Sequence, residues 1–542
     1  MKRLFSLTIV ALTAAATVTI SACSDDFLTS ANAGSSRTVD EPADTATLLG
    51  FAAAAYHPLL LDCYAPVRSS SGDGKYHSIV LTADLRSDDV YRGSGNSGDL
   101  PDLWRLFTFT SEPTQTLNGL WNVCYIGLAR SNLFIQACAN TVDVPLGEQK
   151  RFNAEAHFLR AYYTHLLWKN WGNVPYFTEA LEEPFVAPQY RADEVYQFIL
   201  ADLAVACDPD ALPMRNDAGS IARASLAAAL MLKARVALYQ NDAARYPEIT
   251  NDMATIIASG RYSLLSDFKE IWRDAGEFCE ESIFEANHLP KGKDWWGQQG
   301  WNGIFGGFGT VLPCMISPSD PKPDAAGFPE LATDRGWSFA PVRAEAYEAL
   351  YESGADTRRD GSINKWKSGT YAPTFQSTGY FLAKYAARRD YGNTGSKDLN
   401  YPNNVRIFRY AEALLNYAEL VVKHGQADGV QGVTAQWCYE QIRNRAFGNN
   451  PPAQPLSEAA VELERRREFL GEGMRFWDLV RWGKAPAALT EEVNIPNTQN
   501  PDLSINYSRT FTDLKKYLPI PQSEVDKVRG TAHELEQNKG WD

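Results

Sequence analysis

Residues 464–483 of this 542-residue chain read ERRREFLGEGMRFWDLVRWG. Apolar side chains recur there at helical spacing, which predicts one helix from about Ser457 to Trp482. In the first half, arginines alternate with glutamates, and such pairs stabilise an exposed helix face. In the second half the side chains are typical of a core: Phe476, Trp477, Leu479, Val480 and Trp482. We therefore interpret the segment as scaffold and not as a site of chemistry.

Other stretches of the chain show the same periodicity. The clearest lies between Arg151 and Trp168, where one stripe carries Ala154, Phe158, Ala161, His165 and Trp168. Helical spacing also marks Thr45 to Ala55, Thr116 to Ala139, Ile221 to Tyr239 and Arg409 to Val422. The third of these is crowded with alanine, which allows a neighbouring helix axis to approach closely. Together they predict stacked helix pairs similar to tetratricopeptide units, without a strict repeat length.

Long stretches rich in glycine, proline and aromatic residues separate these helices. They run from Arg68 to Pro101, from Asp274 to Asp334 and from Ser362 to Pro402. Connections of this length are usually functional loops or disordered segments. The sequence therefore predicts a mainly α fold, in which the helices support a loop-rich part with a few short strands.

Eight segments, taken in order, resemble the SusD/RagB family of outer-membrane lipoproteins of Bacteroidota. They are residues 154–161, 171–175, 224–239, 409–419, 442–446, 464–483, 518–521 and 537–541. The last reads QNKGW and departs from the family pattern by carrying Lys539 in place of proline. Each motif alone is weak evidence, but their order makes the resemblance specific over nearly the whole chain.

The resemblance implies both an architecture and a role. The architecture is a SusD-like fold, with four tetratricopeptide-like helix pairs supporting a loop-rich ligand-binding part. The role is that of a surface lipoprotein that captures oligosaccharides and sits as a lid on a SusC-like TonB-dependent outer-membrane transporter. Some members bind peptides, so a RagB-like peptide-uptake protein is an alternative.

The N-terminus predicts export and lipidation. A basic start, Met1 to Arg3, precedes an apolar run, and Ser21-Ala22-Cys23 ends that run as a lipobox does. Cys23 is then the acylated residue, and Ser24-Asp25-Asp26 resembles a surface-export signal of Bacteroidota lipoproteins. An ordinary secretory signal or a single membrane span is the alternative. We predict a signal peptide over 1–22, a tether over 23–44 and a SusD-like domain over 45–542, divided near residue 270.

The charge of the chain excludes one class of partner, and the spacing of its cysteines indicates their role. The chain has 52 basic and 66 acidic residues, a net charge of −14, and no basic stripe, so we exclude nucleic acid as a partner. Seven cysteines follow Cys23 at wide spacings without a C-x-x-C pair. We interpret them mainly as buried thiols, with one or two disulfides left open.

One loop has the composition of a glycan site. Residues 293–302 read KDWWGQQGWN, and Trp295, Trp296, Trp301 and Asn302 supply flat apolar faces and amide groups. Sugar rings bind through such faces and through polar groups that reach their hydroxyls. The surrounding glycines allow the backbone to approach a ligand. Alternatively, these tryptophans pin the loop to the helical body or contact the transporter.

The loop from Arg68 to Pro101 is a second candidate. Tyr76, Tyr91 and Arg92 are its predicted ligand-binding residues. Its acidic residues, Asp84, Asp88 and Asp89, are suited to sugar hydroxyls or a cation, but a solvated acidic loop is the favoured interpretation.

A surface glycoside hydrolase is the rival class of protein. Such an enzyme needs two carboxylates across a cleft, and none of the 66 acidic residues is marked as a pair by its context. No H-E-x-x-H, G-x-S-x-G, P-loop or dinucleotide motif occurs. His157 and His165 fit a packed or hydrogen-bonded role better than metal binding. The sequence predicts a non-catalytic binding protein, with no cofactor and no metal ligand assigned.

Overall fold

A computed structural model of the chain describes residues 42–64, 75–76, 78–179, 181, 183, 185–290, 308–351, 355–391 and 397–541. Within these residues the N-terminal helices are α1 (Thr45–Tyr56), α2 (Ile79–Asp84), α3 (Pro101–Thr108), α4 (Asn118–Ala139), α5 (Leu146–Trp171), α6 (Ala192–Ala206), α7 (Leu226–Gln240) and α8 (Tyr246–Ala258). The C-terminal helices are α9 (Leu312–Ile316), α10 (Pro323–Ala326), α11 (Ala344–Glu348), α12 (Thr357–Ser362), α13 (Tyr410–Val422), α14 (Ala435–Ala446), α15 (Glu458–Phe469), α16 (Arg475–Arg481), α17 (Ala485–Leu489) and α18 (Gln522–Lys527).

The strands are short and pair only two at a time. They are β1 (Cys63–Tyr64), β2 (Lys75–Tyr76), β3 (Val174–Pro175), β4 (Gln189–Tyr190), β5 (Ser282–Ala286), β6 (Ile363–Lys365), β7 (Tyr380–Leu382), β8 (Val405–Arg409), β9 (Glu491–Ile495) and β10 (Ile505–Arg509). The antiparallel pairs are β1–β2, β3–β4, β5–β8, β6–β7 and β9–β10. The predicted mainly α fold with a few short strands is confirmed. Within the described ranges, no helix has the length and apolar character needed to cross a bilayer.

Among the described residues, a series of long helices packs neighbour on neighbour and forms the body, with α1 packed on α4 at its start. Helix α4 packs on α5, α5 on α6, α6 on α7 and α7 on α8, and α8 then packs on α13, which also contacts α14 and α15. Small residues set the closest approach: a Cβ added to Gly127 in α4 would lie 2.4 Å from the ring of Tyr163 in α5. This array agrees with the four helix pairs expected of the fold.

The segment 464–483 forms two helices and not the single predicted one. Helix α15 ends at Phe469, and α16 begins at Arg475. Between them Gly471 and Gly473 have φ of +80° and +71°, which is left-handed backbone that favours glycine. The turn carries the aromatic residues of α16 into a second, smaller core cluster with Phe109.

The prediction that the charges of α15 face solvent is wrong for most of them. Glu464, Arg465, Arg467 and Glu468 are each 4% exposed or less. These charged positions share a helical stripe with the core residues Val461 and Phe469. The segment is scaffold, as predicted, but its charges lie inside the protein.

Guanidinium groups from distant elements satisfy these buried carboxylates. Glu464 pairs with Arg358 at 2.7 Å and with Arg443 at 2.9 Å. Glu468 pairs with Arg445 at 2.6 Å and with Arg409 at 3.2 Å. Burial alone would raise the pKa of the Glu468 carboxyl, but the attraction of these two arginines outweighs it and holds the pKa below its usual value. The network joins α15 to α12, α14 and β8.

Candidate functional site

The predicted tryptophan-rich site lies outside the described residues. Trp295, Trp296, Trp301 and Asn302 all fall within 291–307, so their role as ligand-binding residues stays a prediction. The structure does describe where the chain leaves and rejoins the body around this segment. The position of these two ends determines the surface from which the predicted site emerges.

Hydrogen bonds join the two ends of segment 291–307. The Leu289 N–H donates to the Phe308 carbonyl at 2.7 Å. The Nδ1 atom of His288 lies 3.0 Å from the same carbonyl oxygen. The His288 N–H in turn donates to Oδ1 of Asn404, at 2.8 Å, directly before β8. The segment therefore leaves and rejoins the body at one place, beside the β5–β8 pair.

The predicted Tyr76 loop is tied to the same place. Tyr76 ends β2, the partner of β1, and its side chain is outside what the structure describes. Asp62 lies directly before β1, and its Oδ2 atom accepts hydrogen bonds from the Val311 N–H, at 2.8 Å, and from the Thr310 hydroxyl. Because Thr310 is two residues beyond Phe308, the bases of the two predicted loops lie side by side.

A third stretch of the chain completes this base. Thr310 and Tyr401 exchange backbone hydrogen bonds of 2.9 and 3.1 Å. A Cβ on Gly309 would lie 2.4 Å from the Cα of Asn400, so only glycine allows this contact. We call the following residues the anchor platform: Asp62, His288, Phe308, Thr310 and Tyr401. It joins described residues that lie near 65–74, 291–307 and 392–396 in the sequence.

No motif in the sequence marks the anchor platform. Asp62 and Thr310 are 248 positions apart, and neither belongs to a motif. A short polar side chain beside a strand is too common to mark a contact at that separation. The composition of the loops predicts a ligand site there, but the residues that anchor them are set by tertiary contacts.

Tyr91 and Arg92, the other predicted ligand-binding residues, are buried. Tyr91 is 4% exposed and lies beneath the guanidinium of Arg343, 4.8 Å from its ring centre. Arg92 is fully buried and donates to the hydroxyl of Ser94 and the carbonyl of Asp99, each at 2.7 Å. Burial lowers the pKa of Arg92 to about 10. This placement supports a role in shaping the loop, and direct ligand contact by either residue stays a prediction.

The interpretation of Asp84, Asp88 and Asp89 as a solvated acidic loop is wrong. All three face the segment around α15 and α16, where arginines and a backbone N–H bind them. Asp88 accepts two hydrogen bonds from Arg475, at 2.8 and 2.9 Å, and Asp89 pairs with Arg466 at 2.7 Å. Although burial opposes ionisation, the two arginines lower the pKa of Asp88 to about 2. These aspartates hold the loop to the body.

The structure defines the surroundings of His157, His165 and six cysteines. His157 Nδ1 lies 2.7 Å from the Asp202 carboxylate, and His165 Nδ1 lies against the Tyr162 carbonyl, as the hydrogen-bonded interpretation requires. Six cysteines are free thiols: Cys124, Cys138, Cys207, Cys279, Cys314 and Cys438. The expected buried thiols are confirmed for Cys124, Cys314 and Cys438, whereas the other three are partly buried, and no disulfide joins these six. Within the described residues, no His, Cys, Asp and Glu group is arranged to hold a metal ion.

Two family models match separate parts of the chain. The model described as the SusD family matches residues 286–541. A second model, described as starch-binding associating with outer membrane, matches residues 86–238. The two matches cover both the helical body and the loop-rich part.

Solved structures of similar proteins align over nearly the full length. Surface glycan-binding protein A from Bacteroides fluxus is 49% identical, with 92% of this chain and 100% of that chain covered and a TM-score of 0.83. Surface glycan-binding protein A from Bacteroides thetaiotaomicron, solved in complex with laminarihexaose, is 33% identical, with coverages of 92% and 100% and a TM-score of 0.77. A laminarin-binding SusD-like protein is 28% identical, with coverages of 92% and 99% and a TM-score of 0.74.

Proposed function

This chain belongs to the SusD family, and from that premise we propose that it captures an oligosaccharide at the cell surface and delivers it to a SusC-like TonB-dependent outer-membrane transporter. The observation that carries the proposal is the 49% identity, over 92% of this chain, to a surface glycan-binding protein. Identity of that degree over the whole fold supports a shared class of ligand as well as shared architecture.

The glycan class that we propose is laminarin and its oligosaccharides. Two of the similar structures are described by this ligand, one in complex with laminarihexaose and one as laminarin-binding. Both align over 92% of this chain. A peptide ligand, the alternative from the sequence, has no comparable support among these relatives.

Binding would take place on the loops above the anchor platform. In this proposal, Trp295, Trp296 and Trp301 stack on sugar rings, while Asn302 and Tyr76 reach hydroxyl groups. The platform supports the arrangement because it anchors the bases of 65–74 and 291–307 beside each other. Arg92 would act by fixing the loop at 93–99, and Tyr91 by packing beside Arg343.

The proposed activity is binding without hydrolysis, at the outer membrane. The similar proteins are named for glycan binding, and the paired aspartates of the 84–89 stretch are bound by arginines or backbone rather than placed across a cleft. Acylated Cys23 would anchor the chain, and the tether through residue 44 would lead into α1. This address agrees with the description of the family as associating with outer membrane.

Calorimetry with laminarihexaose tests the proposed ligand. We expect binding of laminarihexaose and much weaker binding of maltohexaose, which has the same length but another linkage. Chromatography of the mixture after prolonged incubation should recover laminarihexaose intact. Equal affinity for both hexasaccharides would contradict laminarin specificity, and shortened products would contradict the non-catalytic assignment. On intact cells, chemical cross-linking should join the chain to a TonB-dependent transporter.

A further inference from the structure

A separate cavity of about 370 Å³ opens in the C-terminal part of the chain. It lies between α12, β6, the turn at 327–331 and the segment around Arg273, and none of its lining residues belongs to the anchor platform. Small-molecule sites have volumes of roughly 300–1,000 Å³. The cavity is thus large enough for one or two sugar units.

Its walls combine aromatic and polar groups. Phe328 and Tyr347 line it as half-buried rings, packed against Trp366 at 5.4 Å and Tyr380 at 5.1 Å respectively. Asn364 also lines the cavity and is 7% exposed. Its side-chain amide offers both a donor and an acceptor, which suits a ligand with hydroxyl groups.

The charge of the cavity is positive. Four cations line it, Lys269, Arg273, Lys365 and Arg388, against the two carboxylates Glu330 and Asp360. Two of the cations have surface partners, since Arg273 pairs with Glu270 at 3.1 Å and Lys365 with Glu348 at 2.8 Å. Asp360 is engaged by the Tyr347 hydroxyl, which donates to it at 3.1 Å.

Arg388 and Lys269 are the cations left for a ligand. Neither forms an ion pair with any residue that the structure describes, and the buried Nε atom of Arg388 has no acceptor there. Burial and the nearby Asp390 raise the pKa of Asp274, and the positive charges of Arg406 and Arg388 only partly oppose that rise. A half-buried guanidinium without a carboxylate is suited to a carboxylate or sulfate group, which it binds with two parallel hydrogen bonds.

We propose that this cavity is a second ligand site, which binds a sugar unit carrying a carboxylate or a sulfate. Arg388 and Lys269 hold the anionic group, Asn364 binds a hydroxyl, and Phe328 and Tyr347 line the apolar face of the ring. The site is independent of the proposed laminarin site, because the two share no residue.

Titrations of the full chain in detergent test this site with three matched probes: glucuronic acid, glucose 6-sulfate and glucose. Ligand-observed NMR should show binding of at least one anionic sugar, with glucose at least about tenfold weaker, because a charged hydrogen bond is lost. Arg388→Gln should weaken binding of the anionic sugar by about tenfold. Arg388→Lys, which keeps the charge, should bind that sugar more tightly than Arg388→Gln does. Arg529→Gln is the charge-matched control, since Arg529 is exposed and pairs only with Asp526 among the described residues.

The results with the two anionic probes distinguish a carboxylate ligand from a sulfate ligand. Binding of glucuronic acid alone would indicate uronic acids, and binding of glucose 6-sulfate alone would indicate sulfated sugars; either supports the site. Lys269→Gln, at an exposed position, should weaken binding several-fold even if Arg388→Gln fails to fold. The proposal would be overturned if glucose bound as tightly as both anionic sugars. It would also be overturned if the single variants Lys269→Gln and Arg388→Lys both bound the anionic sugars with wild-type affinity. Trp295→Ala should leave this binding intact, so failure of the laminarin site is distinguishable.

Discussion

The buried charges of α15 make the stability of the body depend on single carboxylates. Glu468 is fully buried, and Arg445, Arg409 and Arg358 lie 2.6, 3.2 and 3.6 Å from its two oxygens. Replacement by glutamine keeps the size of the side chain and removes its charge. The guanidinium groups stay buried, and they lose part of the charge that compensates them.

The remaining contacts of these arginines set the expected magnitude. Removal of one partner from a buried ion pair costs roughly 3–5 kcal/mol. Arg409 keeps Glu472 at 2.7 Å, and Arg445 keeps Glu281 at 3.2 Å, so both retain a carboxylate. We therefore expect Glu468→Gln to lower the free energy of unfolding by about 3 kcal/mol, at the low end of that range.

Urea unfolding, followed by circular dichroism and tryptophan fluorescence together, measures this loss. The control is Glu458→Gln on the same helix, since Glu458 has a half-exposed side chain and its partner Lys423 also pairs with Glu462 at 2.9 Å. An exposed pair contributes less than about 1 kcal/mol. The reasoning is refuted if the two variants unfold at the same urea concentration with unchanged slopes. It is also refuted if Glu468→Gln is as stable as the wild type.

Four further predictions address the loops, the anchor and the acid response. Alanine at Trp295, Trp296 or Trp301 should weaken laminarihexaose binding by about tenfold each at an unchanged melting temperature; a lowered melting temperature would indicate a structural tryptophan. Cys23→Ala should abolish labelling by a fatty-acid probe, and equal labelling would contradict lipidation. Asp62→Asn should weaken laminarihexaose binding several-fold with an unchanged far-ultraviolet spectrum, because the Val311 N–H loses a charged acceptor; unaltered affinity would argue against the anchor platform. Since the pKa of Asp88 is lowered from 3.8 to about 2, its pairing stabilises the protein above pH 4 and is lost as the pH falls towards 2. The stabilities of wild type and Asp88→Asn, from urea unfolding at each pH, should converge over that interval, and a constant difference would contradict the assignment.

The sequence predicted the helices well because their signal is local. The stripe from Ala154 to Trp168 lies within α5. The helix predicted from Thr45 is α1, which Asp44 caps by accepting a hydrogen bond from the Thr47 N–H at 2.8 Å. Helix spacing depends on neighbours three or four positions away, so no distant contact is needed to read it.

The charges of α15 were misjudged because their partners are distant. Arg358 and Glu464 are 106 positions apart, and no local pattern relates them. A usable signal was nevertheless present: Val461, Glu464, Arg465, Glu468 and Phe469 share one helical stripe, which places charges among core residues. A charged residue on the apolar face of a helix predicts a buried ion pair better than it predicts an exposed surface.

The same contrast explains how one scaffold can serve different glycans. The anchor platform depends on Asp62, Thr310 and Tyr401, whose hydrogen bonds join segments far apart in sequence. Apart from Tyr76, the residues proposed to contact the ligand belong to the sequence segment 291–307. If that proposal holds, a substitution within the segment would alter ligand contacts without removing the hydrogen bonds of the anchor platform, which are made by other residues. Specificity would then change through the loop sequences alone.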